Sequence, residues 1–388
     1  MCDMFGRRLW GRWLAGFLGV SALLLAGCGD FFSPSGGGGG GGTTVGSYTY
    51  VGTQSGVLVG YSVSSTGALA TLSGFPNQFA TAGINALAVT PNNAVLYAAV
   101  AGIGVYGLGI NSSTGVTTLI NTNALVQDVA PSALTIDPSG QFLLVAGLAN
   151  GVAAVGEYAI NSDGTLSEVG GSPVSITFGA GTDTTNLAVT NIAVAPNSSY
   201  VFVTLGQLGV APLPFNTSGS LSANTQIIGP QAPNNIPNQD LGLAVNPTSS
   251  ALFVGETNVG VRVFTIGASS FTEISGSPFA AGGQPRSLTF DGTGDYLYAA
   301  SATDNAISGY SVLASGSLTP LSGSPFSSVG AQPFALALDQ SKKFLFSANL
   351  GGTPDLQLFS FDSTTAGKLD PGATATNATL AAAIASTH

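Results

Sequence analysis

From residue 47 onward the apolar positions fall into short runs that repeat. The clearest unit is an apolar run, a Pro- or Asp-centred turn and a second apolar run. It reads Ala86-Leu87-Ala88-Val89-Thr90-Pro91 leading to Leu96-Tyr97-Ala98, and Ala133-Leu134-Thr135-Ile136-Asp137-Pro138 leading to Phe142-Leu143-Leu144-Val145. It recurs with turns at 196, 247, 292 and 340, giving spacings of 47, 58, 51, 45 and 48 residues from residue 91. A third run alternates as a half-buried strand does, as in Ile307-Ser308-Gly309-Tyr310-Ser311-Val312. A Ser/Thr/Asp/Gly turn and a short fourth run follow, the latter starting near Leu166, Leu221 or Leu318. Several copies close on Gly-Ser-Pro, at 171–173, 276–278 and 323–325, where Pro stops a ladder.

Four short antiparallel strands at this period predict an all-β fold, a seven-bladed β-propeller of four-stranded blades. Six full copies lie between about residues 84 and 370. Ahead of them, Tyr48–Val51, Val57–Val63 and Ala68–Leu72 match strands two, three and four, with strand one missing. Ala378–Ile384 supplies a strand one with nothing after it, so one blade is expected to be closed by both chain ends. The same tail also reads as an Ala-rich helix. A pair of β-sandwiches would not keep seven similar units in register.

Composition supports strands and turns. The chain carries 55 Gly and 20 Pro, and only 7% of its residues are charged, against about 25% in an average domain. Residues 1–27 read as an export signal: Arg7, Arg8 and Arg12, then an apolar stretch from Leu14 to Leu25, then Leu25-Ala26-Gly27-Cys28. This last run resembles the bacterial lipobox, which implies lipidation of Cys28 and a membrane-anchored lipoprotein of the cell envelope. Cys2 would be removed, leaving Cys28 unable to form an intrachain disulfide. Residues 28–46, with seven consecutive Gly from 36 to 42, read as a linker spanning about 25 Å. Residues 47–388 form the propeller domain. Removal of the signal leaves five basic residues, Arg262, Arg286, Lys342, Lys343 and Lys368, against 17 acidic ones. Such a balance disfavours nucleic acid as a partner.

Asp137-Pro138-Ser139-Gly140-Gln141-Phe142, Asp304-Asn305-Ala306-Ile307-Ser308-Gly309-Tyr310, Gly316-Ser317-Leu318-Thr319-Pro320-Leu321, Gln284-Pro285-Arg286-Ser287-Leu288 and Gln332-Pro333-Phe334-Ala335-Leu336 give a more specific signal. At these residues, and over about 47–386, the chain resembles the lactonase-type seven-bladed propellers, which include 6-phosphogluconolactonase-like proteins. The resemblance implies the fold and points to lactone hydrolysis by His, Glu and Arg around the central channel. The chain departs from that pattern: its one His, His388, sits on a polar tail expected to be solvated, and cations for a phosphorylated sugar are few. No metal-ligand spacing and no cofactor motif is legible.

Loops entering strand one and leaving strand two share one face of a propeller, around the channel mouth. The residues six before each turn are Asn85, Ser132, Thr190, Leu241, Arg286 and Phe334; Asp240 precedes Leu241, and Glu256 and Asp304 follow second strands. Arg286, Glu256 and Asp240 are therefore expected to meet as ligand-binding charges or as a blade-to-blade ion pair, with Asp304 and Asn85 nearby. Asp137, Asp291 and Asp339 read as turn formers. Glu157, Glu168 and Glu273 are expected on solvated outer strands, and the aromatic residue recurring once per blade as core. The favoured function is a non-catalytic binding or scaffold module taking a small molecule, glycan or protein at the channel mouth. A lactone hydrolase is the alternative, with Glu256, Asp240 or Asp304 as its base.

Overall fold

A computed structural model describes residues 47–231 and 239–388. Cys28, the signal and the linker lie outside the described residues. The described chain forms 30 strands and no helix. Its innermost strands are Ile84–Val89, Ala130–Ile136, Leu187–Val194, Asp240–Val245, Pro285–Phe290, Pro333–Leu338 and Ala381–Ser386. Each lies against the next, and Ala381–Ser386 lies between Pro333–Leu338 and Ile84–Val89, so seven blades surround one axis. In blade one, Ala381–Ser386 pairs antiparallel with Ser47–Thr53, supplying the strand that the first unit lacks. The tail is strand, starting three residues later than its apolar run.

The turn between the first and second strands of a blade is built by one side chain. Asp137 Oδ1 accepts the N–H groups of Gln141 and Phe142 at 2.8 and 2.7 Å, while its Oδ2 accepts Ser139 N–H at 2.9 Å. Asp291 and Asp339 repeat the arrangement in blades six and seven. The Gly-Ser-Pro turn works similarly on the outer edge. The hydroxyls of Ser172, Ser277 and Ser324 accept third-strand N–H groups of Glu157, Val263 and Gly309 at 2.8, 3.1 and 2.9 Å. The serine thus satisfies a donor that a broken outer strand would leave unpaired.

Blades pack through aromatic second-strand residues. Tyr97, Phe202, Phe253, Tyr298 and Phe346 are fully buried, and Phe142 partly so. The hydroxyls of Tyr50, Tyr97 and Tyr298 donate to the carbonyls of Gly115, Gly164 and Gly367, each in the third-to-fourth-strand turn of the following blade. That turn must come very close: a Cβ on Gly367 would stand 2.5 Å from the Tyr296 ring.

Blade four differs from expectation, because no fourth strand forms at Leu221. In its third strand, Val210–Pro214, Phe215 N–H and the odd-numbered positions face the second strand, so Pro212 and Pro214 face outward. Two prolines remove outward donors that a fourth strand needs; Ser222 N–H to Pro214 O, 2.9 Å, and the bridge between Val210 and Ile228 remain. Blades four and five are joined as one sheet by the single pair Gly206↔Asp240.

Candidate functional site

Six of the seven innermost strands carry a one-residue register shift close to their start, and Leu187–Val194 a larger one. In blade two Ile84 pairs with Val100 and Ala86 with Ala99, leaving Asn85 as the extra residue. By the same pairing Ser132, Leu241, Arg286, Phe334 and Ala382 are the extra residues of their blades; Thr190 lies within the shift of blade four. A bulge re-aims a side chain that strict alternation would have sent elsewhere. All of these except Leu241 line a 180 Å³ cavity on the channel axis. The six-before-the-turn positions are the bulge positions.

Two polar positions of the ring are satisfied by the neighbouring blade. Asn85 Nδ2 donates to Pro131 O at 3.0 Å, and Thr190 Oγ1 to Asp240 O at 3.0 Å. Arg286 is held differently. Its guanidinium carbon lies 4.7 Å from the centre of the Phe334 ring, a cation–π contact between blades six and seven. No hydrogen bond or ion pair to Arg286 exists among the described residues. Burial pushes its pKa below the usual guanidinium value. Arg286 also lines a second cavity of 550 Å³, off the axis, with Gln284, Thr303, Asn305, Gln332 and Phe334.

The expected meeting of Arg286 with Glu256 and Asp240 is corrected by the structure. Asp240 and Glu256 do face each other, as a cross-strand pair 1% and 0% exposed. The cation beside them is Arg262: its Nη1 is 3.2 Å from Glu256 Oε2 and donates to Gly229 O at 2.8 Å. Its Nη2 and Nε hold Glu273 at 2.8 and 3.2 Å. Backbone N–H of Gln231 also donates to Glu256, at 2.9 Å. Asp240 Oδ1 is buried with no hydrogen-bond partner among the described residues. Burial first, and then the charge of Glu256, raise its pKa to about 8 against the pull of Arg262. Burial opposes ionisation of Glu273, but hydrogen bonds from Arg262 and Ser277 outweigh it and lower its pKa.

Asp304 is exposed and serves its own loop. Its Oδ2 accepts the hydroxyls of Ser301 and Thr303 and the N–H of Gly283, which hold the carboxyl below its usual range. Glu157 and Glu273 are corrections too. Glu157 is buried, accepts Leu221 N–H at 3.2 Å and has its pKa raised by desolvation; Glu273 is tied to Arg262. Glu168 is exposed. His388 is exposed but anchored: its N–H donates to Asn93 Oδ1 at 2.7 Å, and its Nε2 lies 3.0 Å from Val89 O, beside a 710 Å³ cavity at the opposite mouth.

Arg262 lies within a third strand, Gly260–Ile266, so a count of mouth-loop positions does not reach it. The signal was present: Glu256 pairs with Gly260, and Arg262 stands two residues along on the same face.

The model of the lactonase seven-bladed β-propeller family matches residues 43–227 and 248–376. The chain belongs to this family. Among solved structures, a Bacteroides fragilis protein described as a candidate 6-phosphogluconolactonase superposes with a TM-score of 0.69 at 19% identity, over 89% of this chain and 99% of that one. A periplasmic gluconolactonase of Pseudomonas aeruginosa gives 0.66 at 17% identity, over 88% and 99%. A Lactobacillus plantarum protein gives 0.68 at 18% identity, over 88% and 100%. These likenesses establish the lactonase-type fold. No curated protein sequence matches.

Proposed function

We propose that this propeller acts on a small polar lactone at the Arg286 mouth, as a hydrolase held at the cell envelope by lipid on Cys28. The observation that carries the reading is Arg286 itself: a half-buried guanidinium, without an acceptor among the described residues, opening on two cavities. Membership of the lactonase family supports it, as do the names of the gluconolactonase and 6-phosphogluconolactonase relatives.

Water adds to the lactone carbonyl carbon and negative charge grows on the carbonyl oxygen. Arg286 donates N–H to that oxygen as a donor already fixed in place by its contact with Phe334. Collapse breaks the ring C–O bond, the departing oxygen takes a proton and the acid ionises to a carboxylate. No carboxylate or imidazole lines either cavity among the described residues, so the water's proton passes to solvent. The same observation favours a second reading, in which the mouth binds a lactone or sugar acid without turnover.

A pH-stat assay of the purified protein on δ-gluconolactone, corrected for uncatalysed opening, tests the proposal. The Arg286→Ala protein is expected to lose about a hundredfold in kcat/KM, and the parent rate to rise with pH without a bell. A variant as active as the parent removes Arg286 from the reaction. Binding of the lactone by an inactive parent leaves the second reading.

A further inference from the structure

We infer that the ligand body sits off the propeller axis, in the 550 Å³ cavity between blades six and seven, and that this pocket takes an unphosphorylated sugar acid or its lactone. The inference rests on the reading of Arg286 as the ligand-binding cation. Its first ground is size. Pockets for small molecules run to about 300–1,000 Å³; the axial cavity holds 180 Å³ and the off-axis one 550 Å³.

The second ground is the chemistry of the walls. Gln284, Asn305 and Gln332 offer side-chain amides, which both donate to and accept from hydroxyls, and Thr303 a hydroxyl oxygen that accepts while its proton goes to Asp304. Asn305 is engaged at one atom, where its Oδ1 accepts Gln332 N–H at 2.8 Å and holds the two rim segments together. The Arg286 guanidinium carbon lies over the Phe334 ring at 4.7 Å, and no N–H of the group is taken by an acceptor among the described residues, which leaves donors for a carboxylate.

The third ground is charge. A phosphomonoester would bring a further −1.5 to −2 or so at pH 7. Of the other described cations, Arg262 is held by Glu256 and Glu273, and Lys368 by Asp362 and Asp370. Lys342 and Lys343 belong to the turn between Pro333–Leu338 and Phe344–Asn349, at the opposite end of the blade. Arg286 thus balances one carboxylate and leaves nothing for a phosphate.

The test is calorimetric titration of the purified full chain with sodium D-gluconate and with 6-phosphogluconate. The variants are Arg286→Ala, Thr303→Trp, which fills the cavity from its exposed rim, and Gln284→Ala, each checked by thermal melting. Gluconate is expected to bind the parent more tightly than 6-phosphogluconate does. Arg286→Ala should abolish binding, and Thr303→Trp and Gln284→Ala should each weaken it tenfold or more with melting unchanged. If Thr303→Trp does not fold, Gln284→Ala carries the reading alone. Parental affinity in the rim variants with loss in Arg286→Ala overturns the off-axis pocket and leaves the function at Arg286 standing. Tighter binding of 6-phosphogluconate overturns the charge argument. Binding of neither ligand by the parent overturns both.

Discussion

Replacing Asp240 by Asn should make the fold more stable near neutral pH and flatten its dependence on pH. Asp240 is almost fully buried and faces Glu256 across the strand pair, and its pKa is raised from 3.8 to about 8. In the unfolded chain the group ionises near 3.8, whereas in the folded chain it keeps its proton until about 8. Between these values the folded state binds more protons, so stability falls as pH rises, and the loss stops above about pH 8. One proton is worth about 1.4 kcal/mol per pH unit, so from pH 3.8 to 7 the cost is about 4 kcal/mol. Asn has the same shape and no proton to lose in either state. Urea unfolding of parent and Asp240→Asn at pH 5, 6 and 7 measures the effect. The two stability curves should diverge by about 1.4 kcal/mol per pH unit, with the variant flatter. Parallel curves would mean that Asp240 is ionised in the fold and held by Arg262, which refutes the argument.

Four other outcomes are expected. Arg262→Ala takes the ion-pair partner from the buried Glu256 and should cost about 3–5 kcal/mol in urea unfolding, whereas Arg286→Ala, with no ion pair to break, should cost far less. Tyr298→Phe leaves the Gly367 carbonyl without its donor and should cost about 1–3 kcal/mol by the same measurement. Deleting residues 373–388 removes the innermost strand of blade one and should produce aggregation or a clear fall in melting temperature. Cys28→Ser should move the protein from the membrane to the soluble fraction on cell fractionation, and unchanged membrane association would remove the lipid anchor.

What the sequence disclosed followed from chemistry that is local along the chain. The Asp137, Asp291 and Asp339 turns satisfy backbone donors within five residues of themselves, as Asn246 does in blade five, so the spacing of such turns marks the register of the blades. From that register the mouth positions Asn85, Ser132, Thr190, Arg286 and Phe334 could be counted backwards. The partnership of Arg286 could not. The count assumes regular alternation, and at Arg286 one extra residue interrupts it. The bulge aims Arg286 at the channel, while Glu256, on an uninterrupted second strand, stays between blades with Arg262. The burial of Glu157 is hidden from the sequence for a related reason. Its strand is outer by number, but it is covered by the segment around Leu221 that two prolines keep from becoming a strand.

The contrast between the two arginines is the strongest functional argument in the molecule. In a chain whose described part is mostly uncharged, a guanidinium kept for stability should be found with acceptors around it, because burying it otherwise is costly. Arg262 meets that expectation with two carboxylates and a carbonyl. Lys368 meets it at the surface with two aspartates. Arg286 is half buried, stacked on one ring and without an acceptor among the described residues, at the one bulge position where the ring of blades presents a charge. Cation–π stacking contributes about 0.5–2 kcal/mol, less than the desolvation of an unpaired ion. On the proposed function the shortfall is made up by an anion, or the oxygen of a carbonyl gaining negative charge, entering from the cavities that Arg286 borders. Bound gluconate should therefore raise the melting temperature of the parent and leave that of Arg286→Ala where it was. Equal shifts in both proteins would locate the anion elsewhere.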